Sequence, residues 1–261
     1  MNILSIISFV LAIAVLYGGL ALSSNDLKIF YDVPSLFIVI GGTFAATAIS
    51  FQLNRLASLL KIFIRRFIFG KKFEYRKIIS ELLNHNESFR KGESFDGLSS
   101  KTKDLFLKEG LLLAKDGVLA IDDVIRLLTE RNDNMYQMHL EDANKIKVIS
   151  KYPPAFGMIG TTIGMIVLLG NLAAENAMKL IGPAMGICLI TTLYGGVFSN
   201  LLLIPLSENL LDDSKEVFTK NQIIIKGLEL ITQKTNPILM CEELNSYLSP
   251  KDRLDWKKVT R

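Results

Sequence analysis

Two threonines, Thr161 and Thr192, stand in long stretches that hold no charged side chain. A threonine hydroxyl both donates and accepts a hydrogen bond, so a pair of them can guide water or a cation without a fixed charge. Around them lie residues with almost no side chain: Gly157, Gly160 and Gly164 flank Thr161, and Gly195 and Gly196 follow Thr192. Gly160 and Gly164 form a small-xxx-small pair, the spacing at which two membrane helices approach closely. Ala184, Cys188, Thr191, Gly195 and Ser199 fall roughly on one helical face. Composition leaves two readings open, packing glue within a helix bundle or a polar path lined by Thr161 and Thr192. Machines that couple to an ion keep an ionisable group inside the membrane, and these stretches contain no Asp, Glu, Lys or Arg. A conducting protein of this sequence would take that carboxylate from a partner.

Four uncharged stretches position these residues: Met1 to Asn25, Val33 to Asn54, Tyr152 to Ala174 and Leu180 to Ser207. A helix needs roughly 20 apolar residues to cross about 30 Å of hydrocarbon, so each can span, at about residues 3–22, 34–52, 153–173 and 181–205. The first is not a secretion signal in pattern, because Met1-Asn2 gives no basic start and the apolar run is too long. Orientation follows the basic residues. Lys28 alone joins the first two spans and Lys179 alone the last two, whereas the second span is followed by Arg55, Lys61, Arg65, Arg66, Lys71, Lys72, Arg76 and Lys77. The expected organisation is a transmembrane hairpin (1–54), a cytoplasmic helical domain (55–151), a second hairpin (152–207) and a cytoplasmic helical tail (208–261), with both termini inside.

The expected fold class is an all-α membrane protein with a helical cytoplasmic domain. Leu56, Leu59, Leu60, Phe63 and Ile64 recur at helical spacing. Phe89 to Ser100 is polar and reads as a loop. A helix through Leu105 and Leu111–Leu113 stops at Asp116-Gly117, and another starts near Ala120 and runs towards Pro153-Pro154. In the tail, Leu206, Leu210, Val217, Ile224, Leu228 and Ile231 fit an amphipathic helix ending before Asn236-Pro237, with a short helix from Ile238 to Leu248. A net charge of +4 without a basic stripe does not suggest nucleic-acid binding. The 2 histidines and 2 cysteines make no metal-ligand spacing, and no nucleophile–base set or phosphate loop points to an enzyme.

The run Pro154-Ala-Phe-Gly-Met-Ile-Gly-Thr161, then Ile181-Gly-Pro-Ala-Met, Thr191-Thr-Leu-Tyr-Gly195 and Ser199-Asn200 through Pro205 resembles the last two spans of MotA/PomA flagellar-motor stator subunits, within the MotA/TolQ/ExbB proton channel family. The resemblance covers essentially the whole chain. It implies an ion-conducting subunit, five copies ringing two copies of a MotB/PomB-like partner whose single span carries the ion-binding Asp. It implies transported H+ or Na+ and no cofactor, a bacterial inner-membrane location, and roles in flagellar rotation, motility and chemotaxis. Pro154 and Pro205 match family prolines with a hinge or coupling role, and Thr161 and Thr192 match threonines facing the ion path in sodium-type members. Phe89-Arg90-Lys91-Gly92 matches an Arg-Lys-Gly element, which implies that Arg90 and Lys91 meet a FliG-type rotor protein. The acidic companions of that element are missing: Leu98, Ser99 and Lys101 stand about where they belong, with Glu93 and Asp96 nearby but out of register. The alternatives are an ExbB/TolQ-like energiser of outer-membrane processes, typically with three spans, and a non-conducting membrane scaffold.

Overall fold

The structure is a computed structural model that describes residues 3–51, 74–115, 119–173 and 177–255. Among the described residues there are helices and turns and no strand. They fall into two compact units, Met1–Lys72 with Glu141–Leu211, and Phe73–Leu140 with Asp212–Arg261.

In the first unit, α1 runs Ile3–Ser23. Val33–Leu36, a π-helical turn Phe37–Gly41 and Gly42–Ser50 follow one another as a continuous helix, α2, residues 33–50. Asp32 caps its start, its carboxylate accepting from the Ser35 N–H at 2.8 Å. The other helices of this unit are the end of α6 (Ile121–Ile149), then α7 (Tyr152–Asn171), α8 (Ala177–Val197) and the start of α9 (Ile204–Thr232). A π-helical turn, Phe198–Leu203, joins α8 to α9. Among the described residues, three helical stretches are long and apolar enough to cross a membrane: Leu27–Ser50, one within Ile121–Asn171 and one within Ala177–Thr232. Phe9–Ser23 is a shorter apolar helix.

α2 leans on the α7–α8 pair. Its first turns lie against α8 and its later turns against α7. Gly42 is where α2 meets α7, since a Cβ there would stand 2.3 Å from the Phe156 ring. Tyr194 of α8 donates to the Phe30 carbonyl at 2.6 Å and accepts from the Asp32 N–H at 3.3 Å, which ties the entry of α2 to α8. Ser50 and Tyr152 share a hydrogen bond of 2.8 Å at the other end.

The second unit is a bundle of α3 (Tyr75–Arg90), α4 (Phe95–Lys101), α5 (Leu105–Lys115), the first part of α6, the rest of α9, and α10 (Pro237–Asn245). Its core joins Ile79 and Leu82 of α3, Leu98 of α4, Leu107 and Leu111 of α5, Leu128 of α6, Ile224, Leu228 and Ile231 of α9, and Met240 and Leu244 of α10. The polar stretch 89–100 is not one loop: α3 continues to Arg90, and Phe95–Lys101 is a helix. Ser94 caps it by accepting from the Gly97 N–H, and the burial of Leu98 holds it against the core. α6 ends at Ile149 with a turn at 150–151, and the tail forms α9 and α10 as the periodicity indicated. The expected amphipathic run of residues 56–64 and the stop at Asp116-Gly117 lie outside the described residues.

Candidate functional site

The seam between α7 and α8 is built from glycine upward. A Cβ on Gly160 would stand 2.4 Å from Thr191 Cγ2, and one on Gly164 2.6 Å from Cys188 Sγ and 2.9 Å from the Ala184 carbonyl oxygen. On Gly157 it would meet the Thr191 carbonyl oxygen at 3.0 Å, and on Gly195 the Pro153 carbonyl oxygen at 2.5 Å. Four of the five glycines singled out in the sequence thus line one seam, Gly157, Gly164 and Gly195 against backbone of the facing helix and Gly160 under the Thr191 side chain. Gly196 does not: a Cβ there would meet nothing within 4 Å. One residue further along a helix turns the chain by about 100°, which takes Gly196 off the stripe that Gly195 occupies.

That close approach brings Thr161 and Thr192 together, Oγ1 to Oγ1 at 2.8 Å. Thr161 Oγ1 also lies 3.0 Å from the Cys188 carbonyl oxygen and 3.1 Å from that of Gly157. Thr191 and Thr192 both reach the Cys188 carbonyl as well, at 3.2 and 3.3 Å. Each hydroxyl has one proton, so the three cannot satisfy every contact at once. In any assignment, the Thr192 oxygen keeps lone-pair capacity, and Thr192 is an exposed residue. Thr191 is fully buried under Gly160 and has the Ile187 carbonyl, at 2.7 Å, as its nearer acceptor, so it packs where its neighbour faces outward. Sequence reasoning placed Cys188 and Thr191 on one face but missed the Cys188 carbonyl as a shared acceptor; no residue type encodes a backbone oxygen.

The two prolines bracket the same region. Pro154 lies in the first turn of α7, where the missing N–H is one that a helix start leaves unpaired anyway. Pro205 is the second residue of α9, directly after the π-helical turn. Ser199, within that turn, donates to the Ser150 carbonyl at 2.6 Å, and Ser207, two residues past Pro205, donates to the Ala143 carbonyl at 2.8 Å. Sequence reasoning missed both bonds; the available signal was a proline four residues after Ser150 and a serine on the facing stripe.

Arg90 and Lys91 belong to the second unit, at the end of α3, and both are exposed. Gly92 takes φ +98°, and a Schellman close holds the turn: Gly92 N–H to Phe89 O at 3.0 Å and Glu93 N–H to Ser88 O at 3.1 Å. Phe89 stacks on Phe95 with ring centroids 4.6 Å apart, and Lys234 lies 5.7 Å over Phe89. Leu98 and Ser99 are buried. Glu93 pairs with Lys101, whose hydrogen bond holds the glutamate below its usual range, and Asp96 pairs with Lys115 at 2.9 Å. The nearby acids are therefore engaged by lysines of the same chain. Beneath the turn, His85 is buried with its Nε2 2.8 Å from Thr102 Oγ1, and Thr102 gives its one proton to the Leu98 carbonyl. His85 is thus the donor at Nε2, and burial lowers its pKa from 6.5.

An all-helical chain with a glycine-closed apolar hairpin and a polar pair on its seam defines a helical membrane protein. The pattern of the MotA/TolQ/ExbB proton channel family matches residues 99–223. Motility protein A of Borreliella burgdorferi is 34% identical, over 97% of this chain and 96% of its own. Chemotaxis protein PomA of Vibrio alginolyticus is 28% identical, over 94% and 92%. The structure of C. jejuni MotAB shares the fold, with a TM-score of 0.86 over 98% of this chain and 99% of that one at 17% identity. The chain belongs to the MotA/TolQ/ExbB proton channel family.

Proposed function

We propose that this chain is the ring-forming, ion-conducting stator subunit of a bacterial flagellar motor. The stator assignment is supported by likeness to a motility A protein along nearly the whole chain, which leaves the energiser and scaffold readings without an observation of their own. The observation that supports the ion path is the Thr161–Thr192 hydroxyl pair, with Thr192 an exposed residue of the hairpin.

In this reading the chain crosses the inner membrane four times, with both termini and the helical domain in the cytoplasm. Five copies surround two copies of a MotB/PomB-like partner. The partner supplies the carboxylate that this chain's spans lack, because a group that takes up and releases an ion inside the membrane must be ionisable. Thr161 and Thr192 hand H+ or Na+ to that carboxylate through hydroxyl oxygens, with no cofactor and no covalent chemistry. Neutralising the carboxylate removes the charge that holds ring and partner in one register, and the ring steps. One elementary charge crossing about 100 mV releases about 2.3 kcal/mol, so several transfers drive useful rotation. Pro154 and Pro205 act as hinges, and Arg90 and Lys91 present positive charge to a FliG-type rotor protein.

The test is Thr192→Leu. It should abolish ion flux and swimming while the protein stays in the membrane at its normal level. Normal swimming by that variant would remove Thr192 from the path. Swimming speed measured against sodium concentration then distinguishes Na+ from H+.

A further inference from the structure

Each proline that breaks a helix leaves a carbonyl four residues earlier without its usual donor. At the turn between α6 and α7, the Ser150 carbonyl stands four residues before Pro154, which has no N–H to offer it. It is not left bare: Ser199 of the π-helical turn, itself buried, places its hydroxyl 2.6 Å from the Ser150 oxygen, also buried. The Ser150 hydroxyl is engaged separately, donating to the Lys147 carbonyl at 2.8 Å. The Ser199 carbonyl accepts from the Ile204 N–H, the wide-spaced bond of the π turn. One residue therefore closes the gap at the α6–α7 junction with its side chain and forms part of the π turn before Pro205 with its backbone. Eight residues on, Ser207 repeats the tie, its buried hydroxyl 2.8 Å from the Ala143 carbonyl of α6. The apolar residues Ala143 and Ile146 of α6 and Leu206 and Leu210 of α9 form one buried cluster along this stretch.

We propose that Ser199 and Ser207 are positioning residues that join the Pro154 and Pro205 breaks into one coupled hinge, through which a change at Thr192 is passed to α6 and α9. Thr192 lies seven residues before Ser199 on the same continuous helical run. π-helical turns differ from α-helix by one residue of register and recur at functional sites, and the Ser199 hydroxyl pins this turn to the Ser150 carbonyl. α6 and α9 are also the helices by which the chain continues into the unit carrying Arg90 and Lys91. Without the Ser199 hydroxyl, the buried Ser150 carbonyl loses its donor, and the α6–α7 junction is no longer tied to the π turn.

The proposal rests on the ion-conducting stator reading, and its test separates the two. The full chain, co-expressed with its single-span partner, is assayed for ion influx in reconstituted vesicles and for swimming in cells, with membrane levels measured in parallel. Ser199→Ala with Ser207→Ala should leave influx and protein level as in the wild type while swimming is lost, and Ser199→Thr, which keeps the donor, should swim. A merely structural role would lower level, influx and swimming together, and that result would overturn the coupling. Normal swimming by the double variant would overturn it as well. A wild-type complex that passes neither H+ nor Na+ would overturn the channel reading, and this proposal with it.

Discussion

The side chains that matter here act through single protons. Thr161, Thr191 and Thr192 converge on the Cys188 carbonyl with one proton each, and what distinguishes them is exposure: Thr191 is sealed under Gly160, whereas Thr192 faces outward. His85 shows the same economy in the second unit. Its Nε2–H serves Thr102, and burial opposes a second proton. Facing it are Glu81 on its own helix, Glu93 on the turn and Lys101 on α4; the acids favour the charged form and Lys101 opposes it, but desolvation outweighs them. The sign follows from linkage. An unfolded chain protonates this histidine near 6.5, the folded chain only at lower pH, so the contribution is complete above 6.5 and lost as pH falls below it. Thermal unfolding of the full chain in detergent should show stability declining below that point, and His85→Gln, neutral but still a donor, should flatten the decline. An unchanged slope in the variant would remove His85 as its source.

At the scale of elements, spacing alone disclosed most of the hairpin. Gly157, Gly160 and Gly164 recur at three and four residues, and small residues at that spacing have few roles in an apolar helix other than close approach. The seam within this chain does not include Gly196, because adjacency in sequence is not adjacency on a helical face. Reasoning from spacing failed for α4, whose polar and glycine-containing sequence conceals a cap at Ser94 and one buried leucine. The Ser199–Ser150 bond was also illegible, since it answers to a carbonyl orphaned across the fold rather than to any local pattern. The two neighbouring glycines offer a direct check. Gly195→Ala would put a methyl 2.5 Å from the Pro153 carbonyl oxygen, backbone that cannot swing aside. It should force α7 and α8 apart at a cost of about 1–3 kcal/mol. Gly196→Ala meets no atom and removes a flexible residue from a helix, so it should be neutral or stabilising by up to about 1 kcal/mol. Unfolding of both variants in detergent measures the contrast, and equal effects would mean that Gly195 does not set the seam.

The whole chain leaves apolar surface that its own fold does not cover. Met158, Ile166 and Leu189 on α7 and α8 are each more than 60% exposed. Lipid can cover such side chains, but lipid gives no reason for the glycine-thinned seam to present an open hydroxyl among them. Nor does this chain supply a charge to accompany that hydroxyl, since none of the four uncharged stretches contains a carboxylate. In the proposed stator reading both deficits are met by one arrangement, in which copies of α7 and α8 line a ring around a partner span that brings the acid. The prediction separates assembly from transport. Co-purified with its single-span partner, the chain should form a complex with a mass of five copies to two. Replacing the partner's intramembrane Asp with Asn, close to it in size but not ionisable, should preserve that mass while abolishing ion influx. Influx that survives the Asn replacement would place the ionisable group elsewhere, and a chain that purifies only alone would leave its open hydroxyl without the acid that ion coupling requires.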